Sequence, residues 1–142
     1  MLDPFRLPIH PAIVHFPVAL LTVTWGMLVA RYVTGHPKWD SRARLIHAIG
    51  VTSIPFALVA AIVDTRGFGF VTEARWDSPL IWHALGGLVV AGLTVGHFAW
   101  RRQYTPEALV GRLAVADIAL ASLVLWSLIG VSLLAGEMVY AT

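Results

Sequence analysis

Ser78–Trp100 reads SPLIWHALGGLVVAGLTVGHFAW, 23 residues without a charge between Asp77 and Arg101. A helix of that length spans about 30 Å of hydrocarbon at 1.5 Å per residue. Three further charge-free runs flank it. They are Leu7 to Ala30 (closed by Arg31), Leu45 to Val63 (between Arg44 and Asp64), and Ile118 to Gly136 (between Asp117 and Glu137). None offers a polar face to water, which a soluble bundle requires. The pattern predicts an all-α fold: one domain over residues 1–142, a four-helix transmembrane bundle with helices near 12–31, 45–64, 79–100 and 113–136. Short first and third loops favour up-down-up-down order.

Composition agrees. Hydrophobic residues make up 58 % of the chain and charged residues 13 %, against roughly 25 % in a soluble domain. Six Trp suit interfacial belts. The absence of cysteine excludes disulfides, thiolate metal sites and covalent haem attachment. The basic pI of about 9.5 is accounted for by loops on one membrane face, leaving no surface for nucleic acid. The N-terminus lacks a basic region and a small-residue cleavage site, so no cleavable signal peptide is expected.

Charge sets an orientation. Loop one carries Arg31, Lys38, Arg42 and Arg44, and loop three carries Arg101, Arg102 and Arg112. Loop two has Arg66 and Arg75 against Asp64, Glu73 and Asp77. The positive-inside rule therefore places loops one and three in the cytoplasm. Both termini and loop two then face outward, to the periplasm if the host is the inner membrane of a bacterium.

The opening run carries His10-Pro11-Ala12-Ile13-Val14-His15-Phe16-Pro17. Ionisable groups inside a membrane are costly and mark function by default. Counted from the cytoplasmic ends, His15 lies 16 residues above Arg31 and His83 lies 18 above Arg101, nearly the same level. His47 and His97 share a level near the other face. His83 and His97, 14 residues apart, lie about 21 Å apart along the helix and within about 40° in azimuth. His83, Gly87, Val90, Thr94 and His97 make one stripe, and His15, Ala19, Thr22 and Gly26 another. Imidazoles from two helices with small residues between them suit a b-type haem. The spacing resembles that of the cytochrome b helices of respiratory complexes. The pairs expected are His15 with His83 and His47 with His97.

The outward end also collects His10, Asp64 and Glu137. With His15 and His83 these could bind Zn, Cu or Fe directly, or Asp64 could orient a ligating imidazole. The competing reading is structural, since a membrane histidine can simply hydrogen-bond a neighbouring helix for about 0.6 kcal/mol. His36, before Pro37, is expected in solvent.

The opening His-Pro-x-x-Val-His-Phe-Pro-x-Ala-Leu of residues 10–20 resembles the domain of unknown function 2231 family of membrane proteins. Ile62-Val63-Asp64, His83-Ala84-Leu85 and Gly136-Glu137-Met138-Val139-Tyr140 resemble that family's later motifs. The resemblance implies a four-helix membrane protein. Resemblance of some members to fusions with Rieske-type or c-type cytochrome modules implies a place in electron transfer. The expectation is thus a membrane electron-transfer protein or subunit with quinone or a larger electron-transfer complex as partner. The alternatives are an outward-face metal protein and an accessory, pigment-binding subunit of a respiratory or photosynthetic complex. No nucleophilic triad, phosphate loop or zinc-protease helix appears, so no enzyme activity is expected of the chain alone.

Overall fold

The computed structural model describes residues 9–64 and 79–140, with side chains described as far as Gly136. The described residues form four helices: α1 (Ile9–Thr34), α2 (Lys38–Asp64), α3 (Pro79–Arg101) and α4 (Gly111–Tyr140). All four are long and apolar enough to cross a membrane. The described residues contain no strand. The order is up-down-up-down. Residues 35–37 and 102–110 lie at one end of the bundle, the loop end. Ile9, Asp64 and Pro79 lie at the other, the terminal end.

α1 stops at Gly35, whose φ of 65° is open to glycine without penalty. Its N–H donates to the Arg31 carbonyl at 2.7 Å, closing the helix in the left-handed cap geometry. Pro37 follows and sets the entry to α2. α2 begins at Lys38, well ahead of the charge-free run that starts at Leu45. Asp40 is neutralised by Arg31 of α1 and Arg101 of α3 as well as by Arg44 of its own helix, so the helix continues through these charges. α1 likewise starts at Ile9 and takes in His10, with Pro11 accommodated in its first turn.

α1 packs most closely on α2, and α3 on α4; the two hairpins meet along α1–α4 and α2–α3. Two glycines permit the tight pairs. A Cβ on Gly50 would stand 3.4 Å from Leu21 Cδ2, and one on Gly86 only 2.5 Å from Val131 Cγ2. The core centres on Leu28, Ala43 and Ala121, with Trp25, Met27 and Ile118 against it. Trp25 Nε1 also donates to Ser122 Oγ at 3.0 Å, tying α1 to α4.

The two small-residue stripes diverge. On α3, Val90, Thr94 and His97 are buried and the stripe faces the other hairpin. On α1 the buried face is Pro17, Leu21, Thr24 and Leu28. Consequently His15, Ala19, Thr22 and Gly26 are turned outward.

Burial is uneven along the axis. The buried described residues of α3 begin at Val90, and those of α4 are Asp117, Ala121 and Val124. The bundle is therefore closed at the loop end. Toward the terminal end, the described parts of α3 and α4 are less tightly covered.

Candidate functional site

Two clusters of ionisable groups lie between the hairpins, one at each end. At the terminal end, His10 of α1 faces His83 of α3, with ring centroids 6.2 Å apart and planes at 84°. His10 Nδ1 lies 2.9 Å from the Ala57 carbonyl of α2. His83 Nδ1 lies 3.1 Å from the Val131 carbonyl of α4. A carbonyl only accepts, so each Nδ1 carries the hydrogen, and in the neutral ring that leaves Nε2 as the nitrogen with the lone pair. All four helices thus contribute to holding two imidazoles in one tautomer.

Asp64 joins through the backbone. Its Oδ2 accepts the His10 N–H at 2.7 Å. That N–H is one of the first-turn donors of α1 that the helix itself leaves unpaired. A carboxylate there also complements the helix dipole. Asp64 therefore fixes the position of His10.

His15 is exposed, and its Nδ1 bonds back to the Pro11 carbonyl one turn earlier. It does not meet His83. His15 lies five residues beyond His10, about 7.5 Å further along the helix axis. His10 sits five residues earlier, rotated by about 140°, and that rotation turns it inward. Among the described residues no group of three His, Asp or Glu side chains converges as metal ligands. The Glu137 side chain, proposed as a fifth ligand, lies outside the described residues, as do Arg66, Glu73, Arg75 and Asp77 of loop two.

At the loop end the second expected pair is brought together: the His47 and His97 rings are 5.0 Å apart and tilted by 45°. Both are buried. His97 Nε2 donates to Asp117 Oδ1 at 2.8 Å. Nδ1 of His47 has no hydrogen-bond partner. His36 is exposed, as expected.

Beyond this pair lies a charge network that the loop reading did not anticipate. Asp40, fully buried, receives three guanidiniums. Arg31 Nη1 is at 2.8 Å, Arg44 Nε at 2.6 Å and Arg101 Nη2 at 2.6 Å. Arg101 Nη1 lies 3.4 Å from Asp117 Oδ2, an ion-pair contact outside hydrogen-bond geometry, which links the network to His97. The arginines also gather backbone carbonyls. Arg31 donates to those of Pro106 and Leu109, and Arg44 to those of Arg101 and Tyr104. Loop three is thereby fastened to α1 and α2. One signal in the sequence pointed this way: Asp40 and Arg44 stand four apart on one helix face.

Fold and site together define an integral membrane four-helix bundle with histidine pairs between its hairpins. The chain belongs to the family described as predicted membrane protein, DUF2231, whose profile matches residues 6–142. No curated relative and no solved structure matches it.

Proposed function

We propose that the protein is a membrane electron-transfer protein or subunit that holds one b-type haem, with His10 and His83 as axial ligands. The observation that supports this is the His10–His83 pair, with both rings oriented through Nδ1 by backbone carbonyls. Such outer hydrogen bonds fix the tautomer and raise the basicity of a ligating imidazole. Two metal–nitrogen bonds of about 2 Å each, with the ring radii, put the centroids of two opposed imidazoles roughly 6 Å apart. The observed 6.2 Å is of that size. A bare ion in a structural site takes about four protein ligands, whereas iron in a macrocycle needs two axial ones. A site with two neighbouring imidazoles and no third side-chain ligand among the described residues therefore favours haem over the Zn, Cu or Fe alternative. When bound, the haem supplies a one-electron carrier whose potential the axial ligands set.

In this reading the chain positions the ligands. Asp64 holds the first turn of α1, and the Ala57 and Val131 carbonyls aim the two rings. Gly87, one turn along from His83, has open space where a Cβ would stand. A second haem between His47 and His97 has less support. Their rings are closer, and Asp117 already holds Nε2 of His97. Haem quantification on protein purified from its native membrane tests the proposal: about one haem per chain is expected. Stoichiometric Zn or Cu without porphyrin would favour the metal alternative instead.

We further propose that the loop end faces the cytoplasm of a bacterial inner membrane. Arg31, Arg44 and Arg101 are occupied by the network, but Lys38, Arg42, Arg102 and Arg112 remain exposed there. The chain has no cysteine, so a single Gln103→Cys provides a unique thiol. An impermeant maleimide should label it in inverted vesicles and not in intact spheroplasts. The opposite pattern would reverse the orientation.

A further inference from the structure

A cavity of about 220 Å³ opens between α1 and α4 at the loop end. Leu28, Leu109, Ala114 and Ile118 supply apolar wall, and its two charged lining groups are Arg31 and Asp117. Tyr32 and Val110, at its margin, are exposed, so the space is reached from outside the bundle. Ligand pockets for drug-sized molecules run about 300–1,000 Å³, so this one suits a single ring.

The charges discriminate between occupants. Arg31 already gives N–H groups to the Asp40 carboxylate and to the Pro106 and Leu109 carbonyls. Three of its five N–H groups are thus engaged, and the neighbouring Asp117 carboxylate repels a phosphate. Asp117 has spent Oδ1 on His97, but a carboxylate offers about four acceptor positions. The cavity therefore favours a neutral, flat, apolar molecule with a hydroxyl donor, entering from outside the bundle. Behind Asp117 stand His97 and then His47, whose buried Nδ1 is unpartnered.

We propose that this α1–α4 cavity binds the headgroup of a membrane hydroquinone, whose hydroxyl donates to Asp117. The role of the site as a source of electrons rests on the electron-transfer reading above; the binding does not. Calorimetric titration of the detergent-purified protein with duroquinol under argon tests the binding, whatever its haem content. The expected result is saturable binding, weakened about tenfold when the quinol is replaced by its dimethyl ether or when Asp117→Asn is used. Ala114→Phe fills the cavity while leaving every residue of the ion network in place, and should abolish binding. Leu133→Phe, facing outward near the other end, should leave it unchanged. Absence of saturable binding, equal affinity for the ether, or full binding by Ala114→Phe would each overturn the proposal. Loss of haem from the His10 or His83 variants, or its absence altogether, bears only on the other site.

Discussion

Asp40→Ala should cost the bundle about 3–5 kcal/mol, the range for removing one partner of a buried ion pair. The carboxylate is fully buried and is shared by three guanidiniums from three helices. Arg101 suffers most. Its Nε and Nη1 already lack hydrogen-bond partners, and Asp40 takes its one short ion-pair contact. Without Asp40, Arg31, Arg44 and Arg101 would repel one another where lipid and packed side chains leave little water. Loop three, held by Arg31 and Arg44, would be released at the same time. Unfolding in mixed micelles should show the loss as a much lower denaturing detergent fraction, with reduced yield in the membrane. Arg42→Ala, on the exposed side of the same helix turn, should shift stability by about 0.5 kcal/mol or less. Similar stability of the two variants would show that the network does not hold the bundle together.

The second large effect concerns the histidines. His10→Ala and His83→Ala should each lower bound haem by on the order of tenfold or more, since even outer-shell partners of a metal ligand are worth that much. His15→Ala should retain haem, because that ring faces outward and bonds within its own helix. The contrast is decisive between two pairings. Loss of haem on replacing His15 with retention on replacing His10 would restore the pairing expected from level counting. Absorbance at the haem band per unit of protein reads both outcomes.

Four spans were legible because the hydrocarbon thickness sets a length and the absence of charge marks it. The inward stripe of α3 was legible too, since 14 residues bring His83 and His97 back to one face. The partner on α1 was not. The expected helix near 12–31 left His10 and Pro11 outside, whereas a first-turn proline lacks only an N–H that has no helical partner anyway. The charge network was hidden for another reason. Basic residues next to a span read as solvated loop, and nothing local distinguishes Arg42, which is exposed, from Arg44, which reaches Asp40. That difference depends on where α3 and loop three pass, a long-range fact. Asp117 stood out at the edge of a span, but its partners His97 and Arg101 come from another helix.

The central claim is bis-imidazole ligation of one haem by His10 and His83. Electron paramagnetic resonance of the oxidised protein, isolated from its native membrane, tests it most directly. A low-spin ferric signal is expected from the wild type, lost in His10→Gly and restored to that variant by added imidazole. An iron-free wild-type protein, or a low-spin signal that survives His10→Gly without imidazole, would contradict it.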